Sequence, residues 1–469
     1  MNHAPRTAAQ LREDVVAIWQ AGLAAVQADR LVQDNVHVEG DLLFMEDEPV
    51  DLTTIGKIVV VGAGKAGAGM AAGLEAALGP RVLQRHQVSG WVNVPDDCVL
   101  PLKHIYLHGG RPAGVNEPTG AGVAGTLEIL QLVASLGPND LCIALLSGGG
   151  SALLPAPATG ISLEDKQAVT RALSAAGANI AELNTVRKQL SRIKGGGLAR
   201  ACTAGRMISL IISDVLGDPL DLIASGPTVV DPSTPQDALA ILEKYQTKST
   251  IPAAVFRVLE SMPRADDKPP MCQVTNLLIG NNAVAVDAAG IEAERRGYSH
   301  AMLAARTLEG NAEDIGRHHA TMALRMRDES GPDCLITGGE PTVQLVDESE
   351  RGKGGRNQQL VLAALDQLLQ SGDCAARGPI SGIAMLSGGT DGEDGPTDAA
   401  GAIIDEAIVT AMHEHRLSPG DFLRRNDAYR FFEPLQALLK TGPTHTNVCD
   451  LRVIVVDRVE TATRPHADA

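Results

Sequence analysis

A lysine inside a glycine turn is the first residue of this chain whose setting suits chemistry. Lys57-Ile-Val-Val-Val-Gly-Ala-Gly-Lys-Ala-Gly67 reads as a buried strand over 57–61, a turn carrying Gly62, Gly64 and Gly67, and a helix beginning near Lys65. Such glycines let the backbone turn sharply and approach a ligand, and the first amides of the helix are expected to point at an anion. The spacing matches a dinucleotide-binding fingerprint, which makes a nicotinamide enzyme the first reading to test. That reading wants a carboxylate about 20 positions on, at the end of the second strand. Here the second strand, 88–94, runs into Pro95 with no carboxylate at its tip. Lys65 adds a fixed cation beside helix amides, which suits a phosphate carrying more charge or being transferred.

Further glycine clusters end predicted strands: Ser147-Gly148-Gly149-Gly150-Ser151, Gly338-Gly339 and Ser387-Gly388-Gly389-Thr390. In open α/β sheets that edge is where ligands bind. One glycine loop is explained by turn geometry; four, mixed with Ser, Thr, Asp, Lys and Arg, point to a site. Carboxylates accompany the later loops, and acidic residues beside glycine at strand ends commonly hold Mg²⁺ that in turn holds phosphates. Asp214 and Asp391 are the candidates for that work, whereas Glu393 and Asp394 read as turn-forming residues that bond neighbouring amides. Cations gather near glycine at Lys65, Arg187, Lys188, Lys194 and Arg356, a placement that suggests a local anion site on an acidic chain.

The elements that must position these groups follow from composition and order. At 469 residues the chain exceeds what one hydrophobic core usually supports, so two domains are expected. Hydrophobic residues make up 44% but aromatics only 2%, which leaves Ala, Val, Leu and Ile to build the parallel layers of an α/β core. A net charge of −17 argues against nucleic acid and acidic membrane surfaces as partners, while leaving room for a small anionic substrate. Seven scattered cysteines without a Cys-x-x-Cys pair fit reduced thiols in the cytoplasm. No signal peptide or membrane span is recognisable. His318-His319 and the His413/His415 pair read as solvated helix faces rather than metal sites.

In chain order, one amphipathic helix is expected over 9–29, followed by alternating strands and helices, which indicate βαβ units and a parallel sheet. The polar, proline-bearing run 263–270 marks a linker, with the domain break between 246 and 270. Strands and helices then alternate again to a last strand over 450–456.

At this point the motifs resemble a known family. Gly62-Ala-Gly-Lys-Ala66, Leu146-Ser-Gly-Gly-Gly-Ser151, Asn184-Thr-Val-Arg-Lys188, Ile193-Lys-Gly-Gly196, Ser213-Asp-Val-Leu-Gly-Asp218 and Ala224-Ser-Gly-Pro-Thr228 resemble the class II glycerate 2-kinases. Gly338-Gly-Glu-Pro-Thr342, Gly354-Gly-Arg-Asn-Gln358 and Ser387-Gly-Gly-Thr-Asp-Gly-Glu-Asp-Gly-Pro396 are similar to the C-terminal leucine-rich MOFRL module of that family. The resemblance runs over residues 10 to 457. It implies an α/β fold of two domains, a Rossmann-like doubly wound, mostly parallel sheet over 1–250 and a smaller α/β domain over 251–469 with the MOFRL module at about 332–440, and an active site in the cleft between them. It further implies phosphorylation of D-glycerate at its 2-hydroxyl by ATP; a requirement for Mg²⁺ and a cytoplasmic monomer or homodimer are expected beside it.

By the family's pattern the turn lysine and the arginine of Gly-Gly-Arg-Asn are the catalytic pair, here Lys65 and Arg356, both expected outside the core. Gly62, Gly64, Ser147, Gly148, Gly149, Gly150, Ser151, Lys188, Lys194, Glu340, Ser387, Gly388, Gly389 and Thr390 are the expected substrate- and phosphate-binding residues. Asp214 and Asp391 are the expected metal neighbours. Two alternatives remain: an NAD(P)H-dependent hydroxypyruvate reductase, a label some family members carry, and a non-catalytic nucleotide-binding regulator.

Overall fold

The structure, a computed structural model, describes residues 5–245, 251–262, 272–304, 306–371 and 378–458. The expected linker over 263–270 lies outside the described residues. The chain divides into two compact units: a larger one of residues 27–280 with 445–447, and a smaller one of residues 1–26 with 281–444 and 448–469.

The larger unit begins with a three-stranded antiparallel sheet, β1 (Val36–Glu39), β2 (Leu42–Met45) and β3 (Glu48–Asp51), that sequence reading passed over. Its core is a second sheet of six strands: β4 (Ile58–Ala63), β5 (Ser89–Pro95), β6 (Ile105–Arg111), β7 (Leu141–Leu146), β8 (Arg206–Ile212) and β9 (Gln273–Gly280). They lie in the order β6-β5-β4-β7-β8-β9, and every pairing is parallel. This is the doubly wound order 3-2-1-4-5-6. All six residues of β4 and of β7 are buried, as continuous apolar runs covered by helices on both faces must be. The strand order reverses between β4 and β7, so the loops that leave their carboxyl ends lie side by side.

The smaller unit is built on a mixed sheet. Its strands are β10 (His300–Leu303), β11 (Cys334–Gly339), β12 (Ile383–Gly389), β13 (Gly401–Ile404), β14 (Leu438–Leu439) and β15 (Asp450–Val456). The order is β10-β11-β15-β12-β13-β14; only β10 and β11 pair in parallel, and β15 inserts antiparallel between β11 and β12. The helix Arg356–Gln370 is buried without a break from Asn357 to Leu365. His319, expected on a solvated face, is buried on the neighbouring helix Ala312–Asp328, where loss of hydration pushes its pKa down to about 3.

The first helix ends earlier than expected and serves the smaller unit. It spans Ala8–Ala25, and a separate helix, Ala28–Asn35, starts the larger unit. Its apolar stripe of Leu11, Val15, Ile18 and Trp19 is buried, the Trp19 indole N–H donates to the Gly388 carbonyl at 3.4 Å, and a Cβ on Gly22 would lie 2.5 Å from Leu451. The unit boundaries at 26/27 and 280/281 therefore differ from a single break near 250, because a stripe of apolar side chains is satisfied by whichever sheet it covers. Among the described residues no single helix is long and apolar enough to cross a membrane.

Candidate active site

In the larger unit the glycine turn after β4 is bonded to the loop after β7. The amide of Gly64 donates to the Asn93 carbonyl (3.2 Å), Lys65 to the Gly148 carbonyl (2.8 Å) and Gly67 to the Gly64 carbonyl (3.1 Å), while Ala66 donates to the Ser147 hydroxyl (3.1 Å). The amides of the turn itself therefore face protein acceptors; the helix starts at Gly67, two residues later than expected, so the amides expected to point at an anion are those that follow, of Ala68 and Gly69. Gly62 and Gly64 hold two backbones together: a Cβ on Gly62 would sit 2.1 Å from the Leu145 carbonyl, and one on Gly64 would sit 1.9 Å from the Ser147 hydroxyl. The turn presents the Lys65 side chain. Gly149, at φ +76°, brings the next loop under it, its Cβ position lying 3.3 Å from Lys65 Cγ and 3.2 Å from Arg111 Nη2. A Cβ on Gly148 would fall 1.9 Å from Asp214 Oδ2, so Asp214 closes over the same loop. Lys65, Arg111 and Asp214 thus meet around Gly148 and Gly149, at the reversal of strand order where open sheets bind ligands.

Beside this group lies a cavity of about 370 Å³ whose wall carries four cations, Lys166, Arg171, Arg187 and Lys194, against two carboxylates, Glu117 and Asp214. Ser151 is tied into that wall. Its hydroxyl accepts from Lys194 Nζ at 2.6 Å and Arg187 Nη2 at 2.9 Å and lies 2.7 Å from the Ser225 hydroxyl. Ala224 and Ser225, at φ +50° and +63°, hold the left-handed conformation that side chains disfavour, a strain that aims Ser225 at Ser151 and Lys194. Burial, reinforced by Arg187 and Lys166, holds the Lys194 pKa well below the ordinary lysine range. Lys166 is pushed down to about 7 by burial and then by Arg187, and its Nζ is buried without a hydrogen-bond partner. Lys188 turns away from this wall; its ammonium pairs with Asp221 at 3.1 Å and Asp231 at 3.7 Å. As adjacent helical residues, Arg187 and Lys188 point about 100° apart.

The smaller unit treats its cation differently. Arg356 donates from Nε and Nη2 to the two oxygens of Asp450, at 2.8 and 3.0 Å, and from Nη1 to Glu340 at 3.0 Å. Asp450 is fully buried and also accepts from Asn357 Nδ2 at 3.0 Å. Arg356 is thus a structural ion-pair partner as well as a candidate for chemistry, which corrects its expected freedom from the core. It shares with Asp391 and Glu393 the wall of a cavity of about 600 Å³. Burial raises the Glu340 pKa, against Arg356, which lowers it. Asp391 accepts from the Glu393 amide at 3.1 Å.

The loop expected to hold phosphate in this unit is interior. Ser387, Gly388 and Gly389 are the last residues of β12, and the Ser387 hydroxyl, wholly buried, meets Asn357 Oδ1 at 2.5 Å. Thr390 is buried and bonds the Cys449 carbonyl at 2.7 Å and the Val448 amide at 2.9 Å. Gly388 leaves room for Trp19 and Leu439. Asp394, read as turn-forming, accepts from the amides of Asn357 and Gln358 at 3.0 and 2.8 Å and caps the helix Arg356–Gln370; burial pushes its pKa up to about 7. Among the described residues no group of three or more His, Cys, Asp or Glu could hold a metal ion. Asp214 on the wall of the first cavity and Asp391 on the wall of the second are the sequence-expected carboxylates that line open space.

Residues 14–260 match the domain of unknown function DUF4147 and residues 333–450 match the MOFRL family. The chain is 36% identical to the glycerate kinase of Rattus norvegicus, covering 95% of this chain and 93% of that protein. It belongs to the glycerate kinase family. A putative hydroxypyruvate reductase of Agrobacterium vitis is 40% identical over 86% of this chain and 87% of its own. The solved structure of glycerate kinase from Thermotoga maritima superposes with a TM-score of 0.80 at 33% identity, covering 95% of this chain and 99% of that one.

Within this family fold, some participants escaped sequence reading. Lys166 and Arg171 lie in an ordinary amphipathic helix, Leu163–Ala175, away from any glycine signal. Asp450 did leave one: a buried strand that reads Asp-Leu-Arg-Val-Ile-Val-Val carries two charges on one face, and Arg452 on that face pairs with Glu309 at 2.7 Å. The argument from a missing ribose carboxylate also changes. Asp96 and Asp97 follow Pro95 directly in a single helical turn, both exposed, so carboxylates do stand just beyond β5.

Proposed function

We propose that the protein transfers the γ-phosphoryl group of ATP to the 2-hydroxyl of D-glycerate, giving 2-phosphoglycerate and ADP. The observation that carries the reading is the convergence of Lys65, Arg111 and Asp214 with a four-cation cavity at the strand-order reversal of the larger unit. Such reactions need positioning and charge neutralisation more than covalent help, since charge spreads over the transferring oxygens. Lys65 serves as a compact cation on the transferred phosphoryl oxygens or the substrate carboxylate. Asp214 stands 1.9 Å from the Cβ position of Gly148, close enough to the loop to orient the 2-hydroxyl as a base or to accept Mg²⁺ carried on ATP. Within the smaller unit, taken by itself, Asp391 is the candidate for a metal and Arg356 the candidate for charge neutralisation, beside one cavity. The relatives named glycerate kinase support the substrates. Among the described residues six cysteines are buried and free, which fits a reducing cytoplasm.

Reduction of hydroxypyruvate is the second reading, favoured by the doubly wound strand order, by Asp96 beyond β5 and by the name of the Agrobacterium vitis relative. Against it stand the amides of Gly64, Lys65 and Ala66 in the turn, which donate to protein oxygens and are closed to a pyrophosphate. Incubation with D-glycerate and MgATP in a coupled ADP assay decides. Glycerate-dependent ADP release is expected; NADH oxidation by hydroxypyruvate without ADP release would overturn the kinase reading.

A further inference from the structure

The wall of the cavity in the larger unit carries more basic side chains than carboxylates. Arg187 and Lys194 are satisfied through Ser151, and Lys194 also donates to the Ser151 carbonyl at 2.9 Å. Lys166 is not: its ammonium is buried, lines the cavity and has no hydrogen-bond partner. A buried ammonium left in that state is costly unless an anion meets it. Glu117 and Asp214, the carboxylates on the wall, are outnumbered by the four cations. The cavity's 370 Å³ is room for about a dozen waters at ~30 Å³ each, several times what a three-carbon acid fills. Both its charge and its size match a polyphosphate better than a single carboxylate.

We propose that Lys166, Arg171, Arg187 and Lys194 seat the polyphosphate of the nucleotide in the larger unit, with Lys166 as the cation reserved for it. The assignment rests on the phosphotransfer reading and says which unit docks the donor. It also accounts for the positions of the helices Leu163–Ala175 and Ile180–Gln189, whose cations face one cavity although neither helix begins at a glycine loop. The depressed pKa of Lys166, set by burial and by Arg187, agrees: a bound polyanion restores the ammonium, so binding near pH 8 takes up protons.

The test uses the full chain and inorganic tripolyphosphate as probe, read by titration calorimetry in buffers of differing ionisation heat. Beside it run the ATP and D-glycerate KM values of wild type, Lys166→Met and Lys166→Arg. In Lys166→Met the tripolyphosphate Kd and the KM for ATP are expected to rise at least about tenfold, the loss of one charge-assisted hydrogen bond. The KM for D-glycerate should stay within about twofold, proton uptake should fall below that of wild type with Lys194 as its remaining source, and Lys166→Arg should recover most of the affinity. Should Lys166→Met not fold, Arg171→Gln reads the same wall and is expected to weaken tripolyphosphate binding. Unchanged tripolyphosphate affinity in a folded variant overturns the assignment, as does a rise in the KM for D-glycerate alone. If wild type releases no ADP with glycerate, the kinase reading fails, while tripolyphosphate binding still judges the pocket.

Discussion

The two units handle their cations in opposite ways. Around Ser151 in the larger unit, lysines and arginines face a cavity and crowd one another, and burial pushes Lys166 and Lys194 toward the neutral form. At the start of the helix Arg356–Gln370 in the smaller unit, the guanidinium is gripped by Asp450 and Glu340, and its pKa is raised. A cation without a protein partner is a place prepared for a ligand anion; a cation in a carboxylate cage first holds structure together. The comparison teaches that two cations equally prominent in sequence can differ in what their removal does.

Removing Lys65 gives the largest expected effect on catalysis. Lys65→Ala should lower kcat by about 10²–10³, the scale for losing one fixed charge at a developing oxyanion. Steady-state kinetics beside thermal melts check it, and a kcat within a few-fold of wild type would remove Lys65 from the reaction. Arg356→Ala should instead lower stability as well as rate. Asp450 would be left buried and unpaired, at a cost of about 3 kcal/mol; this is the low end for a broken buried pair, because a third of the Arg356 side chain is exposed. In calorimetry this reads as a fall in Tm of roughly 6–12 °C. The double variant Arg356→Ala/Asp450→Asn should regain much of the Tm and none of the rate. A native melt for Arg356→Ala alone would break the contrast between the units.

The smallest effect sharpens the comparison through pH. Lys166 in the folded protein titrates near 7, below its ordinary 10.5, so between those values the unfolded chain holds more protons. Stability from this group therefore rises with pH above about 7 and is lower on the acid side. Without ligand, Tm should climb between pH 7 and 8.5 more in wild type than in Lys166→Met. Equal slopes in the two proteins would show that Lys166 keeps its ordinary proton affinity.

Much of this was legible in residue order. Apolar runs at 58–63 and 141–146 announced buried parallel strands, and the loops with Gly62, Gly64 and Gly148–Gly150 announced close backbone approach, which the contacts with Leu145, Ser147 and Asp214 now explain. Other parts were not legible. The Ser387-Gly-Gly389 run looks like the Ser147–Ser151 loop, yet one ends an interior strand beneath Trp19 while the other borders a cavity. Glycine signals that something comes close; its sequence neighbours do not say whether that is a ligand or an indole.

By itself the sequence determined that the chain is an α/β protein of the glycerate kinase family, with Lys65 in a strand-to-helix turn and glycine loops at strand ends. These follow from local periodicity and backbone freedom, which are properties of adjacent residues. Only the tertiary structure decided that Ala8–Ala25 covers the smaller unit's sheet, that β15 enters that sheet antiparallel between β11 and β12, and that Lys188 and Arg356 are paired while Lys166 is not. Those outcomes depend on which distant groups compete for the same charge or the same apolar surface. Asp450 stands 94 positions from Arg356, and Ser151 stands 43 from Lys194. Separations of that length are closed only by the packed fold, and they set which cations remain for a ligand.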